Sequence, residues 1–242
     1  MKIAAIIQAR MGSTRLPGKV LMDISGKPML WHLIERLKYA EKVDEIILAI
    51  PDTEQNDVLE RLAEENNVKF YRGSEEDVLL RDYEAAKKFN CDVVIRITAD
   101  CPLVEPKVVD DMIIKHLKLQ ADYTCNTIKR TFPRGLDVEI FGFETLEKAY
   151  KNSYEINQRE HVTPYICEHP EIFKLQNVEA DCLFNRPELR LTVDANEDLY
   201  LIRKIYEYLY KPGSIFYAKD FISIFDKYPD LKEININVIQ KS

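Results

Sequence analysis

The segment of the chain best suited to chemistry is "QARMGSTRLPGK", residues 8–19, which directly follows the apolar run "KIAAII". It carries three cations and two glycines, namely Arg10, Arg15, Lys19, Gly12 and Gly18. The paired N–H donors of an arginine guanidinium and the compact charge of a lysine ammonium both suit phosphate oxygens. Glycine lets the backbone approach a ligand closely. The segment fits neither GxxxxGK[ST] nor GxGxxG. We therefore predict a phosphate-binding loop of another type, with a solvated positive turn as the alternative.

Two aspartates each end an apolar run of strand type. Asp100 ends "VVIRITAD" and Asp194 ends "LRLTVD". Strands of one open sheet bring their carboxyl ends to a common crevice, so both carboxylates are expected to project into it. Proteins commonly hold Mg²⁺ through one or two carboxylates together with substrate phosphates, which makes this pair the expected metal site. From spacing alone, a second interpretation stays open, in which either aspartate only caps the helix or turn that follows.

The elements that must position these side chains follow from the apolar pattern. Strand-type runs alternate with segments of helical period, which predicts an α/β fold with a mostly parallel sheet sandwiched by helices. The expected strands are "KIAAII", "DEIILAI", "VKFY" and "DVVIRI", and the expected helices lie near residues 27–40, 55–65, 78–89 and 105–117. Shorter, more polar strands between about 121 and 190 are expected to form a small acceptor-side lobe. With no repeat and no linker, we predict one domain over residues 1–242.

The composition limits the classes of function. The chain has 41 acidic and 34 basic side chains, a net charge of −7, which argues against binding nucleic acid through bulk charge. Its apolar runs are far shorter than the roughly 20 residues of a membrane helix, so we expect a cytoplasmic protein without a membrane segment. Widely spaced cysteines without a CxxC pair are expected to be reduced core residues: Cys91, Cys101, Cys125, Cys167 and Cys182.

Several motifs, in order along most of the chain, resemble those of one family. "QARMGSTRLPGKVL" and "ISGKPML" closely resemble the N-terminal signature of the cytidylyltransferases that make CMP-activated sugar acids, and are nearest to the spore-coat polysaccharide type. Further similar segments are "YRGSEEDVLLR", "RITADCPLV", "RGLDVEIF", "REHVTPYI" and "RLTVDANEDL". The resemblance implies a Rossmann-like, GT-A-type nucleotidyltransferase fold, with CTP bound across the carboxyl ends of the sheet and Mg²⁺ as cofactor.

The resemblance also implies roles for individual residues. Catalysis is expected from Arg15 and Lys19 together with the metal pair, Asp100 and Asp194. Residues 72–74 are expected to contact the cytosine and ribose, with Asp77 and Arg81 as further candidates. Acidic residues before an apolar run are, however, also typical of an ordinary helix start. The expected nucleotide-binding residues are Gln8, Arg10, Gly12, Ser13, Arg15, Lys19, Arg72, Gly73, Ser74, Asp77 and Ala99.

Acceptor binding is expected from two of these motifs. In "RGLDVEIF", Asp137 and Glu139 share one face of a strand, which without the resemblance is simply the solvated face of an edge strand. "REHVTPYI" places Arg159 and His161 at the start of a helix that is interrupted near Pro164. The expected acceptor-binding residues are Arg134, Asp137, Glu139, Arg159 and His161. Two other histidines, His116 and His169, are expected at the surface.

The sequence thus indicates a Mg²⁺-dependent cytidylyltransferase. It is expected to transfer CMP from CTP to a small acidic acceptor, a sugar acid or a phosphorylated small molecule, and to release pyrophosphate. Two alternatives stay open: a nucleotidyltransferase with another NTP or a sugar-1-phosphate acceptor, and a nucleotide-binding protein without turnover. A homodimer is expected because relatives commonly dimerise and because "SIFYAKDFISIF", residues 214–225, is apolar enough to cover a partner.

Overall fold

The described part of the chain, residues 1–240, forms one large sheet and a small hairpin in the computed structural model. Its strands are β1 (Ile3–Gln8), β2 (Asp23–Ile24), β3 (Lys27–Pro28), β4 (Glu45–Pro51), β5 (Lys69–Gly73), β6 (Val93–Thr98), β7 (Tyr123–Cys125), β8 (Glu139–Gly142) and β9 (Leu175–Asn177). Its helices are α1 (Met29–Leu37), α2 (Asp57–Glu65), α3 (Val78–Lys88), α4 (Pro106–Leu119), α5 (Phe143–Asn152), α6 (Ile156–His161), α7 (Pro164–Glu168), α8 (Asn196–Leu209) and α9 (Ala218–Lys227).

The seven strands of the large sheet have the order β5-β4-β1-β6-β8-β7-β9. The neighbours β5, β4, β1 and β6 are parallel, as strands joined through crossover helices must be. β8 runs antiparallel to both β6 and β7, and β9 runs parallel to β7. The expected mostly parallel sheet between helices is confirmed, and the strands between residues 121 and 190 extend that same sheet.

Side chains alternate along β1 between two hydrophobic cores. Ala5 and Ile7 belong to the first core, with residues of α1, α2, α4, α8 and α9. Ala4 and Ile6 belong to the second core, with residues of α3, α5 and α7. Because side chains two residues apart share a face of a strand, Gln8 lies on the face of the second core.

The segment "LRLTV" before Asp194 was expected to be a strand, and this expectation is wrong. Single backbone hydrogen bonds hold it instead: the amide of Leu191 donates to Arg134 over 2.7 Å, and that of Val193 to Asp100 over 2.8 Å. Gly135 allows this close approach. Its φ is +101°, and a Cβ there would lie 2.6 Å from the carbonyl carbon of Leu191, so no other residue fits. With the bond from the amide of Arg134 to the carbonyl of Leu189, over 2.9 Å, these bonds make one isolated bridge and one separate contact, and they anchor the segment without forming a ladder.

The helical segment around Pro164 is interrupted, as the sequence predicts, but its polar residues lie elsewhere than expected. Arg159 and His161 are in the last turn of α6 rather than at the start of a helix. α6 is followed by Val162, which has a φ of +71°, a positive value that β-branched residues rarely adopt. The chain then re-enters a helix at Pro164, the first residue of α7.

The apolar segment near residue 220 packs inside the chain instead of facing solvent. Phe221 and Ile222 of α9 are buried in the first core, so this segment does not offer the partner-covering surface that the sequence suggested. His116 was expected at the surface but is buried, with Nδ1 2.9 Å from the hydroxyl of Thr124. Among the cysteines, Cys182 is exposed rather than in the core. Within residues 1–240, none of the helices combines the length and the apolar character needed to cross a membrane.

Candidate active site

A cleft of about 610 Å³ opens at the carboxyl ends of β1 and β6. These two strands end together, because Gln8 is paired with Thr98 in the parallel register. The expected site residues that line the cleft are Gln8, Arg10, Ser13, Arg15, Lys19, Ala99, Asp100, Arg134, Asp137, His161 and Asp194. The loop at residues 8–19 and both predicted metal ligands therefore share one site, as the crevice argument predicts.

The ammonium group of Lys19 lies between the two aspartates. Its Nζ is 2.9 Å from Oδ2 of Asp100 and 2.9 Å from Oδ1 of Asp194, and it also donates to the carbonyl of Val193 over 2.7 Å. Burial alone would lower the pKa of Lys19, but the two carboxylates hold that pKa above its ordinary value. The cation that these aspartates share within the chain is thus a lysine of the predicted phosphate loop.

Asp194 contacts two further cations. Its Oδ1 is 2.8 Å from Arg15 Nη2, and its Oδ2 is 2.8 Å from Arg190 Nη2. Burial opposes ionisation here, yet Lys19 and Arg15 keep the pKa of Asp194 below its ordinary value. The carboxylate is therefore fixed as an anion at the floor of the cleft.

The interpretation of Asp194 as a helix cap is wrong. The carboxylate that caps α8 belongs to Asp198, whose Oδ2 accepts from the backbone amides of Asp194 and Ala195 over 2.9 and 3.1 Å. Asp198 also accepts from Arg190 Nε over 2.9 Å. Asp198 thus satisfies the backbone amides just before the helix, and the carboxylate of Asp194 is left for the cleft.

The carboxylates of the cleft suit a divalent cation only when an anionic substrate supplies further oxygen ligands. Within residues 1–240, no group of three or more His, Cys, Asp or Glu side chains is arranged to hold a metal. Oxygens of Asp100 and Asp194 nevertheless converge on one nitrogen, that of Lys19. A bound triphosphate would draw the ammonium of Lys19 away and supply further oxygens, and two carboxylates with phosphates are an ordinary Mg²⁺ site.

The loop at residues 8–19 is held by its own backbone. The amides of Ser13 and Gly18 both donate to the carbonyl of Met11 over 3.0 Å, and the amide of Met11 donates to Asn56 Oδ1 over 2.9 Å. Gly18 has a φ of +70°, which explains a glycine at the turn. Gly12 is not among the residues that line the cleft. A Cβ at this position would instead meet the side chains of Glu75 and Gln55.

The structure does not bring the "RGSEED" residues into the cleft. Arg72 binds the carboxylates of Asp52, Asp57 and Glu60 at distances of 2.6–2.9 Å, and Gly73 ends the outermost strand, β5. These residues close the edge of the sheet. Their expected contacts with cytosine and ribose are not supported by this placement.

Ser74 and Asp77 likewise act within the chain. Ser74 Oγ accepts from the amide of Asp77 over 3.0 Å, and Asp77 Oδ1 caps α3 by accepting from Leu80 over 2.9 Å. Arg159 Nε donates to Asp77 Oδ2 over 2.9 Å. A residue expected to bind nucleotide and one expected to bind acceptor therefore neutralise each other, and neither lines the cleft.

Glu139 was expected to share a polar face with Asp137, but the structure separates the two. Glu139 binds Arg96 and accepts from the hydroxyls of Tyr123 and Thr163 over 2.5 and 2.7 Å. Although burial opposes it, Arg96 holds the pKa of Glu139 below its ordinary value. Glu139 is thus an internal counter-ion of a cleft arginine rather than an acceptor ligand.

Asp137 does line the cleft, where both of its oxygens accept from Arg130 over 2.6 and 3.0 Å. Arg134 and His161 also line the cleft. Burial, together with the nearby Arg130, lowers the pKa of Arg134, so a bound anion there would relieve a crowded positive region.

Several residues that line the cleft were not among the expected site residues: Arg96, Thr98, Cys101, Glu160 and Thr192. A signal existed for Arg96, because a cation inside the apolar strand "VVIRIT" needs a buried partner or a ligand. Arg81, which the resemblance offered as a further base contact, does line the cleft from α3.

Comparison with known proteins bears on the whole chain. A family model described as cytidylyltransferase matches residues 4–242. The chain is 41% identical to an uncharacterized protein of Methanocaldococcus jannaschii, over 100% of this chain and 98% of that protein. It is 34% identical to the spore coat polysaccharide biosynthesis protein SpsF of Bacillus subtilis, over 94% and 95% of the two chains.

Solved structures agree with this match. A cytidylyltransferase from Leptospira borgpetersenii superposes with a TM-score of 0.91 at 33% identity, covering 100% of this chain and 99% of that one. The CMP:2-keto-3-deoxy-manno-octonic acid synthetase solved with CTP has a TM-score of 0.66 at 18% identity, over 86% of this chain and 99% of that one, and so shares the fold. The chain belongs to the cytidylyltransferase family.

Proposed function

We propose that this protein transfers CMP from CTP to a small acidic acceptor and releases pyrophosphate. The observation that carries the proposal is the place of Lys19, whose ammonium joins the phosphate loop to Asp100 and Asp194 in one cation-lined cleft. CTP is supported as the donor by family membership and by a structural neighbour solved with CTP.

The chemistry is an in-line attack of an acceptor oxygen on the α-phosphorus, with pyrophosphate as the leaving group. Positioning and charge neutralisation account for most of the rate in such transfers. Arg15 and Lys19 leave Asp194 for the β- and γ-phosphates and neutralise the leaving group. Arg10, exposed on the same loop, approaches the α-phosphate.

Mg²⁺ is the proposed cofactor, held by Asp100 and Asp194 together with the phosphates of CTP. It would supply charge neutralisation at the α-phosphate and a lower pKa for the attacking hydroxyl. Within the chain, Arg190 stays on Oδ2 of Asp194 at 2.8 Å and keeps that carboxylate oriented when Lys19 moves.

The acceptor is proposed to bind near Arg134 and His161, which line the cleft. Two side chains of basic type suit an acceptor with its own carboxylate or phosphate. A sugar acid is the first candidate, since the relative SpsF is described as a polysaccharide biosynthesis protein; a phosphorylated small molecule or a sugar-1-phosphate is the second.

The test is product formation. The protein is mixed with each of the four NTPs, Mg²⁺ and a panel of sugar acids and phosphorylated acceptors, and pyrophosphate release is followed. We expect release with CTP and an acidic acceptor only. Release with another NTP would replace the donor in this proposal, and nucleotide binding without any release would favour a non-catalytic protein.

A further inference from the structure

The carboxylate of Asp82 is unusual in this chain. It lies on α3 beneath the end of β1 and is 0% exposed. Its Oδ2 accepts from Gln8 Nε2 over 2.5 Å, whereas its Oδ1 has no hydrogen-bond partner within the described part of the chain. A buried acid without an ion pair is costly, and none of the steps described above uses it.

The nearby cations bind elsewhere. Arg81 donates to the carbonyl of Ser74, and Arg96 is bound to Glu139. Asp82 is therefore left with Gln8 as its direct partner. Burial raises the pKa of Asp82 to about 6, against the smaller opposing effects of Arg81 and Arg96, so this side chain is a carboxylate at neutral pH.

The chemistry of the two groups fixes the amide of Gln8. A carboxylate only accepts hydrogen bonds, so Gln8 must present its NH₂ group to Asp82. The oxygen of a planar amide lies on the other side of the same carbon. Since Gln8 lines the cleft, its Oε1 is the atom left to face a ligand, and it faces that ligand as an acceptor only.

Different side chains line the cleft on the two faces of the sheet. Lys19 and Asp194 lie on the side of the first core, next to Val20 and Val193. On the side of α3, Gln8, the apolar Val78 and Arg81 line the cleft. Phosphates held by Lys19 and its loop leave the α3 side for the base, where Val78 offers an apolar surface and Gln8 an amide.

We propose that Asp82 is a positioning residue that orients the amide of Gln8, so that Oε1 accepts a hydrogen bond from the exocyclic amine of cytosine and thereby selects CTP over UTP. This inference rests on the proposed function. Uracil carries a carbonyl where cytosine carries the amine, so UTP would set two acceptors against each other and leave both unpaired. A site built to pair with one polar group discriminates strongly against an analogue that lacks it.

The test compares the binding of CTP and UTP to the whole protein by calorimetric titration, in the wild type and in Asp82→Asn, Gln8→Ala and the double variant. Asn can present either its oxygen or its NH₂ to Gln8, so the orientation is lost while the shape is kept. We expect Asp82→Asn to lower the CTP/UTP affinity ratio at least about tenfold, and the double variant to be no less selective than Gln8→Ala alone. Glu84→Gln is the matched control: the same chemical change on the same helix, at a side chain bound to Tyr71.

A second measurement serves if Asp82→Asn fails to fold. In the wild type, acid below pH 6 protonates Asp82, which can then donate, so the CTP/UTP ratio is expected to fall. The charged and polar groups that face Asp82 are Arg81 on its own helix, Arg96 on β6, Glu139 on β8 and Gln8 on β1. Protonation of the phosphates is common to both nucleotides and cancels in the ratio, and the titration stays at pH 5 or above because stronger acid protonates N3 of cytosine but not uracil.

The outcomes separate this inference from the proposed function. A wild type that binds CTP and UTP equally, or a folded Asp82→Asn variant that keeps the wild-type ratio, overturns the inference. So does a further loss of selectivity when Asp82→Asn is added to Gln8→Ala. Absence of pyrophosphate release from a wild type that still selects CTP would overturn the proposed function and leave the inference to be judged on binding.

Discussion

The ammonium nitrogen of Lys19 lies 2.9 Å from Oδ1 of Asp194, so a lysine of the phosphate loop neutralises a predicted metal ligand inside the chain. Removing that cation is expected to affect both the nucleotide-bound enzyme and the free enzyme. Lys19→Met keeps the apolar stem but deletes the charge. We expect turnover to fall by about 10²-fold or more, because a preorganised positive group no longer meets the leaving pyrophosphate.

The same variant is expected to unfold more easily in the absence of nucleotide. Asp100 and Asp194 lose the cation that they share, at a cost on the order of 1–3 kcal/mol in the free energy of unfolding. Urea unfolding measures this, with Lys42→Met, an exposed lysine far from the cleft, as the control. Wild-type turnover in Lys19→Met would contradict the assignment of Lys19 to the phosphates.

The predicted metal pair is tested by Asp100→Asn, Asp194→Asn and the double variant. If both carboxylates hold one Mg²⁺ ion against the α-phosphate, turnover at saturating CTP should fall far more than CTP affinity. Residues that act as one unit are strongly non-additive, so the double variant should be barely slower than the slower single variant. Single-turnover kinetics with a Mg²⁺ titration measures this, and fully multiplicative losses would show that the two aspartates act separately.

The two single variants should differ in stability. Asp194 contacts Lys19, Arg15 and Arg190, whereas Asp100 contacts only the first of these cations. Asp194→Asn therefore leaves three cations facing one another and should lower the unfolding midpoint more than Asp100→Asn does. Equal midpoints would mean that the cluster around Asp194 contributes little to the free energy of unfolding.

Much of the fold could be predicted because its signals are local. The alternation of apolar runs with helical period, and the loop behind "KIAAII", both appear within short windows of sequence. Asp100 could be placed in the same way, since β6 ends two residues before it. The segment before Asp194 was predicted as a strand because it has the right composition, but hydrogen bonding with distant residues decides whether a ladder forms.

Polar partners could not be predicted by such reasoning. Asp77 and Arg159 are 82 positions apart and bind each other, and Gln8 and Asp82 are 74 apart. Residue types indicate which charges are present, whereas the fold decides which of them neutralise each other. The expected site therefore included Arg159 and Glu139, which bind partners inside the chain, and omitted Arg96, which lines the cleft.

Gly135 offers a test of how the cleft is assembled. Its backbone lies against Leu191 and Thr192 at a φ of +101°, leaving no space for a Cβ. Gly135→Ala should push residues 189–194 away and displace both Arg134 and Asp194 from the cleft. We expect turnover to fall by an order of magnitude or more with a loss of about 1–3 kcal/mol in the free energy of unfolding. Gly213→Ala, which also has positive φ but meets no neighbour within 4 Å, is the control for backbone strain alone.

A homodimer stays a prediction, but the structure indicates a different contact surface from residues 214–225. α9 is buried in the first core, but Tyr154 and Ile156, just before and at the start of α6, are 85% and 84% exposed. Such neighbouring apolar side chains suit a partner surface. We expect a dimeric mass by light scattering, and a monomeric mass for Ile156→Glu. Ile239→Glu, an equally exposed isoleucine elsewhere, is the control; a monomeric wild type would contradict the prediction.

The buried carboxylate of Asp82 makes a prediction about stability that does not depend on function. Its pKa is raised to about 6 in the folded protein, from an ordinary value of 3.8. Below pH 4 both the folded and the unfolded chain hold the proton, so the ionisation of Asp82 does not change the free energy of unfolding. As pH rises from 4 to 6 the unfolded chain releases the proton first, and above pH 6 the folded chain carries a buried charge.

The wild type should therefore lose stability relative to Asp82→Asn as pH rises through this window. The difference in the free energy of unfolding between the two proteins should change by on the order of 2–3 kcal/mol in favour of the variant between pH 4 and pH 7. Urea unfolding at a series of pH values measures it, and all groups common to both proteins cancel in the difference. A difference that stays constant with pH would mean that the carboxylate ionises in the folded chain as easily as in water, and that the Gln8 amide and nearby arginines compensate fully for its burial.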